Sequence, residues 1–354
     1  MPWSPPSVWP VGFGYGAPMQ VDGGIGFDPS DAVKTAQRAE ADGFDGLWCA
    51  ETGHDPFLPL LLAAEHTERI ELGTGIAVAF ARNPMSTAVL ANDLQSYSKG
   101  RFMLGLGSQI KPHIEKRYSM PWSHPAPRMR EFITAMRAIW SAWHDGTKLA
   151  FRGDFYKHTL MTPFFNPGPN QYGVPKVFLA AVGQLMTEVA GEVADGLLAH
   201  GFTTARYMRE VTLPALDRGL ARAGRTREGF EISYPAMMVT GTDEAEMQAA
   251  TQAVKQQLAF YSSTPAYRPV LELHGWGDLF SELNTLSKRG EWVKMADLIP
   301  PDMLDAFAVT GDIGEIPAKV VERYGDMVTR VSFYAPYRME REKIQELLAG
   351  FRAS

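Results

Sequence analysis

GTGIAVAFARNPMSTAVLANDLQSYSKGRFMLGLGSQ, residues 73–109, is the stretch that decides the fold. Ile70 to Val78 reads as an apolar strand, and Arg101 to Gly107 as another. Between them Pro84 to Tyr97 carries helical spacing, with Met85, Val89, Leu90, Leu94 and Tyr97 on its apolar positions. Asn83-Pro84 marks the helix start, because proline at the first helical position lacks only an N–H that would go unpaired anyway. Two nearly continuous apolar strands around one helix imply a right-handed βαβ crossover, and so a parallel sheet covered on both faces. Both strands finish in glycine and small polar residues, where backbone can approach a flat ligand closely. This unit is expected to form the centre of an active site.

The same alternation extends in both directions. Upstream, Val11 to Ala17 is expected as the first strand, Asp28 to Asp42 as a helix, Gly46 to Ala50 as a strand and Pro56 to Thr67 as a helix. Downstream, a helix over Pro127 to His144 is followed by a hairpin, Leu149 to Thr162, and a proline-rich connector ending at Pro175. Strands at 177–181, 195–200, 230–239 and 328–334 then alternate with helices at 186–193, 206–223, 244–260 and 316–324, before a closing helix at 340–348. Residues 262–303 break the rhythm and read as a helical insertion. The pattern predicts an α/β chain of one domain, a (β/α)8 TIM barrel over residues 1–354 with insertions at about 149–175 and 262–303. A dinucleotide-binding Rossmann fold is disfavoured, since GTGIAV and GLGSQI both lack the third glycine of its fingerprint.

The chain is 45% hydrophobic and 21% charged, with a formal charge of −6 and both signs interspersed, which argues against nucleic acid as a partner. Cys49, the single cysteine, lies in an apolar strand, so no disulfide framework exists and a reducing, cytoplasmic location is expected. Met1 to Pro10 lacks the pattern of a signal peptide, and the apolar run Phe57 to Ala64, broken by Pro59, is too short to span a bilayer. No membrane partner is expected. No HExxH or cysteine cluster accompanies His54 or His113, which disfavours a catalytic metal. Ser108 sits in no Gly-x-Ser-x-Gly elbow, which disfavours a serine hydrolase.

Four stretches in order carry a family likeness: GFDGLW, RIELGTGIAVAFARNP, GRFMLGLGSQ and VFLAAVGQLMTEVAGEVADGLLAHGF. With them the sequence resembles the luciferase-like flavin/deazaflavin oxidoreductase superfamily, in particular its branch using coenzyme F420. The resemblance runs from about Val11 to Tyr334 and implies a (β/α)8 barrel holding the cofactor ring across its C-terminal mouth. It implies a non-prolyl cis peptide in a bulge at Gly75-Ile76, behind the ring. Gly107, Ser108 and Gln109 would lie beside the ring's polar edge, and Glu51 would contact the deazaflavin. Ala181, Val182, Gly183 and Gln184 match the phosphate-holding turn, with Val182 replacing a usual glycine, and His200 is matched to a further phosphate contact. Phe13, Trp48 and Phe80 would line the apolar pocket, while Lys111, Lys176 and Arg206 would attract the anionic tail.

Thr52 stands where sugar-phosphate dehydrogenases of this branch carry a catalytic histidine, and Ile110 where they carry an acid. These departures leave the proton-transfer group open, with His54 and His113 as candidates, because histidine as a residue type can serve as acid or base near neutrality. The implied function is hydride transfer between deazaflavin C5 and a small organic substrate, by an enzyme expected to be a homodimer. The alternatives are an FMN-dependent monooxygenase on the same scaffold and a non-catalytic F420-binding carrier.

Overall fold

The computed structural model describes residues 19–26 and 28–353. The expected strand at 11–17, and Phe13 with it, lies outside the described residues. By contact the described residues divide into two compact units, one holding residues 22–198 and 215–231, the other residues 19–21, 199–214 and 232–353.

The first strand described is β1 (Gln20–Gly24), which sequence patterning missed. It reads QVDGG, and its buried face includes an aspartate in place of an aliphatic residue. Asp22 is fully buried and accepts a hydrogen bond from the Trp48 indole at 2.8 Å. A Cβ on Gly23 would come within 3.1 Å of Leu47, so the glycine permits a close approach to the next strand, β2 (Gly46–Cys49). Between them the helix Pro29–Asp42 starts on an Asp28 cap, whose carboxylate accepts from Ser30 N–H at 2.9 Å. Ala32, Ala36 and Ala39 give that helix its buried stripe.

The central stretch folds as read. β3 (Glu71–Thr74) and β4 (Ala77–Val78) lead through a short 3-10 turn to the helix Pro84–Tyr97, and β5 (Phe102–Gly107) follows with all six residues buried. Asn83 caps the helix through a 2.9 Å bond from Ser86 N–H, and Pro84 occupies its first turn. β3 pairs in parallel with β2 and with β5, and β5 pairs in parallel with β8 (Lys176–Ala181). The expected hairpin is β6 (Phe151–Arg152) against β7 (Lys157–His158), antiparallel. The three backbone N–H groups of Asp154, Phe155 and Tyr156 at its tip donate to the carboxylate of Glu131, on the helix Pro125–His144. The helix Gln184–Val193 leads to β9 (Gly196–Ala199).

In the second unit β10 (Glu231–Val239) pairs in parallel with β11 (Ala308–Thr310) and with β12 (Arg330–Tyr334). β11 was also missed, being three residues long and directly behind a helix. The expected insertion is helical, with helices at Arg268–Leu273, Leu279–Arg289, Trp292–Asp297 and Pro301–Phe307. With the helix Glu244–Ser262 they bury a core of Phe202, Val254, Leu258, Met303 and Phe307. The expected helix at 206–223 differs in detail: one turn at Ala205–Tyr207 passes through a π-helical turn, Met208–Thr212, into Leu213–Arg222. Along the chain, parallel strands alternate with helices in the succession of a (β/α)8 barrel, the fold class read from sequence.

Candidate active site

The site is built where β2, β3, β4 and β5 end. From the pair Gly73–Met103 to the pair Ala77–Leu106, the third strand uses four residues where β5 uses three. One residue is therefore extra: a bulge at Gly75-Ile76, of the kind that re-aims backbone beside ligand sites. The peptide bond between these two residues is cis. Gly75 N–H donates to Cys49 C=O at 2.8 Å and Glu51 N–H donates to Ile76 C=O at 3.1 Å, so β2 grips the bulge from one side. The Thr74 hydroxyl bridges to β5, donating to Gly105 C=O at 2.7 Å and accepting from Gly105 N–H at 2.9 Å.

Glycine is required along this seam for space. A Cβ on Gly105 would lie 1.8 Å from Thr74 C=O, and one on Gly107 would lie 2.8 Å from Ile76 Cδ1. Gly75 and Ile76 are half-buried between buried neighbours, so the bulge keeps a small accessible surface. Ser108 and Gln109 continue β5 beyond its end, with Gln109 in the left-handed region at φ 60° and its side-chain carbonyl accepting from Ile110 N–H at 3.0 Å.

Glu51 is the anchor of this end of the first unit. One of its oxygens accepts from Val78 N–H at 2.7 Å and from Arg82 at 2.5 Å; the other accepts from the Tyr118 hydroxyl at 3.0 Å. Burial, then the carboxylate of Glu51, raises the Tyr118 phenol above its ordinary pKa, which keeps it a neutral donor. Arg82 continues to Asp55 at 2.9 Å and lies over the Phe57 ring at 5.4 Å. Arg117, in the π-helical turn His113–Arg117, donates to the carbonyl of Thr52. These contacts stitch the loop bearing Thr52 and His54 to the segment bearing His113. Both histidines are exposed. Sequence reading missed Arg82, Asp55, Arg117 and Tyr118; the sole signal was Arg82 inside the RIELGTGIAVAFARNP motif.

The turn Ala181–Gln184 opens the helix Gln184–Val193 with Gly183 as its cap residue. No side chain caps this helix, Gly183 and Gln184 are exposed, and a Cβ on Gly183 would meet nothing within 4 Å. The first-turn N–H groups thus stand open to an oxyanion. Phe80, expected to line the apolar pocket, is fully buried. Lys176 is corrected as well: it begins β8, at the strand end opposite Ala181, and pairs with Glu231 at 2.5 Å. Lys111 keeps a loose 3.8 Å pair with Glu115.

In the second unit His200 follows directly on β9. Phe202 N–H donates to its Nδ1 at 3.0 Å, so Nδ1 is the acceptor and Nε2 carries the hydrogen, directed at the Tyr267 hydroxyl 3.0 Å away. The Tyr267 ring stacks on the imidazole at 4.6 Å, and Tyr261 meets it edge-on at 4.9 Å. Burial drops the His200 pKa to about 4 and pushes Tyr267 up to about 12, with Tyr261 adding to the latter. His200 is therefore neutral near pH 7 and offers no positive charge to a phosphate. Arg206 pairs with Glu210 at 2.9 Å in the same unit. Among the described residues no cluster of His, Cys, Asp or Glu could hold a metal ion. No helix among them is long and apolar enough to cross a membrane.

A parallel α/β barrel with a bulged, glycine-lined strand end and an open helix N-terminus defines a class of cofactor-using enzymes, and known proteins fall in with it. The luciferase-like monooxygenase family matches residues 11–330, and the chain belongs to it; it is an oxidoreductase. It is 60% identical to an uncharacterized protein of Mycobacterium tuberculosis over 313 residues, covering 88% of this chain and 92% of that one. It is 28% identical to 5,10-methylenetetrahydromethanopterin reductase of Archaeoglobus fulgidus, over 88% of this chain and 91% of that one. The solved coenzyme F420-dependent tetrahydromethanopterin reductase of Methanopyrus kandleri superposes with a TM-score of 0.75 at 22% identity, covering 94% of this chain and 97% of that one, a likeness of fold.

Proposed function

We propose that the protein is a coenzyme F420-dependent oxidoreductase that moves a hydride between the deazaflavin and a small organic substrate. The observation that supports this most is the one-residue bulge at Gly75-Ile76, whose two residues stay half-buried where the neighbouring strand positions are buried. The exposed part of the bulge is where a planar ring would rest, with Gly105 and Gly107 packed tightly behind it against Thr74 and Ile76. The Archaeoglobus relative and the Methanopyrus protein are both reductases by name, the latter F420-dependent, which favours the same chemistry here.

The residues present fit the cofactor. The uncapped turn at Gly183 offers N–H groups to its phosphate, while Tyr118 donates its one hydroxyl hydrogen to Glu51 and so helps to fix the loop end. A bound deazaflavin supplies the hydride at C5. Glu51, with both oxygens engaged, holds the bulge and the Arg82 loop in register and does not serve as an acid. Proton transfer falls to His54 or His113, both exposed on the loops that follow β2 and β5. A cytoplasmic homodimer completes the reading. Leu58, Leu61 and Val89 expose apolar side chains on the helices Phe57–His66 and Pro84–Tyr97, surface that a second copy would cover.

The test is an anaerobic titration of the purified protein with deazaflavin and with FMN, followed by turnover of the reduced complex on enones, imines and ketones. Tighter deazaflavin binding and substrate reduction without oxygen uptake are expected. Preferential FMN binding with oxygen-dependent turnover would establish the monooxygenase reading instead. Deazaflavin binding with no turnover across that panel would leave a carrier.

A further inference from the structure

Arg128, in the first turn of the helix Pro125–His144, is only 7% exposed, yet no carboxylate lies within ion-pair distance of it among the described residues. Its guanidinium makes two hydrogen bonds there: Nε donates to the Tyr156 hydroxyl at 3.0 Å and Nη1 to Pro121 C=O at 2.6 Å. The plane lies over the buried Phe80 ring at 4.8 Å and near the Tyr156 ring at 5.7 Å. The nearest acid in sequence, Glu131, is occupied by the three N–H groups of the hairpin tip. Nη2 has no partner among the described residues.

Other sheltered arginines of the first unit are satisfied differently. Arg101 donates to the carbonyls of Ala64, Thr67, Ile70 and Ser98 and to the Thr67 hydroxyl. Arg137 pairs with Asp195 at 3.0 Å. A buried cation is ordinarily paired, because burial removes the water that stabilised it and one aromatic face returns only part of that. Nη2, with two N–H groups on a delocalised cation, is left to donate to an oxyanion. The position is informative too: Phe80, beneath Arg128, lies in the 3-10 turn Ala79–Ala81 directly after β4, and the half-buried Trp122 meets Phe80 edge-on at 5.5 Å.

We infer that Arg128, backed by Phe80 and flanked by Trp122 and Tyr156, is an oxyanion-binding subsite that takes a carboxylate or phosphate of a bound ligand. The anion has two sources, the substrate or the anionic tail of the cofactor. Choosing between them rests on the deazaflavin reading above; the binding of an oxyanion does not.

Calorimetric titration of the cofactor-free protein with benzoate, phenyl phosphate and neutral benzamide tests the subsite. Benzoate or phenyl phosphate should bind at least tenfold tighter than benzamide, and Arg128→Met should remove about 10- to 100-fold of that affinity. Arg128→Lys, which keeps the charge and loses the fork, should recover only part. A measurement on the unaltered protein covers the case of a variant that does not fold: phenylglyoxal labelling of Arg128, followed by peptide mass, should be slowed by benzoate and not by benzamide. Repeating the titration with saturating deazaflavin separates the sources. Retained benzoate binding assigns the subsite to a substrate acid, and competitive loss assigns it to the tail. No preference for anions over benzamide, together with labelling that anions do not slow, overturns the inference.

Discussion

The half-buried imidazole of His200 contributes a pH dependence to the stability of this fold. The His200 pKa is about 4 in the folded chain against an ordinary 6.5, and desolvation is the cause. In the unfolded chain the same group takes up a proton near 6.5, so between that pH and about 4 the unfolded state binds more protons. Stability from this residue is thus fully present above pH 6.5, falls as pH drops toward 4 and is flat below, a loss of roughly 3 kcal/mol in all. Urea midpoints at pH 7.5, 5.5 and 4.5 should fall more steeply for the wild type than for His200→Gln. Parallel slopes would show that the ring is not held neutral. His54→Ala addresses chemistry at the same scale. If His54 moves the proton, turnover should fall about 10²- to 10⁴-fold with deazaflavin affinity little changed. Near-normal turnover, with proton transfer rate-limiting, passes the role to His113 or to solvent.

At the scale of elements, Arg101 shows how one side chain closes a helix. It begins the segment leading into β5 and donates to the last carbonyls around the helix Phe57–His66, at Ala64 and Thr67. It also donates to Ile70, just before β3. Those carbonyls have no intrahelical partner, and a cation there also favours the helix dipole. Arg101→Ala should cost about 2–3 kcal/mol, and Arg101→Lys somewhat less, since a lysine cannot reach all the acceptors at once. Denaturant unfolding reads both; a loss within about 0.5 kcal/mol would mean water replaces these bonds at no cost.

Elements such as β3, β5 and the helix Pro84–Tyr97 were legible because their burial is aliphatic and their ends carry proline, asparagine or glycine. β1 was not, since its inward group is Asp22, which accepts from the Trp48 indole 26 residues away. The site divides the same way. Gly75-Ile76 and the Gly183 turn lie in continuous motifs. The contacts of Glu51 join residues 31 and 67 positions away, and no local pattern announces them.

For the whole molecule, charge decides how the proposed cofactor is held. The chain carries a formal charge of −6, so its long-range field repels an anionic ligand and affinity has to come from local donors. Two kinds are at hand in the first unit: the backbone N–H groups at Gly183 and the exposed Lys111, which holds Glu115 loosely at 3.8 Å. A single phosphate, as in FMN, is served by the first kind alone. The longer phospholactyl-oligoglutamate tail of the deazaflavin needs the second as well, and contacts of that kind are screened over about 8 Å at physiological ionic strength. The affinity gap between deazaflavin and FMN should therefore be widest at about 0.05 M salt and narrow severalfold by about 0.5 M. Gly183→Pro removes one backbone donor and should weaken both cofactors together without changing that slope. Titrations across the salt series give the answer directly. A gap that stays constant, with Gly183→Pro weakening only the deazaflavin, would mean that the backbone turn holds the tail and that Lys111 takes no part.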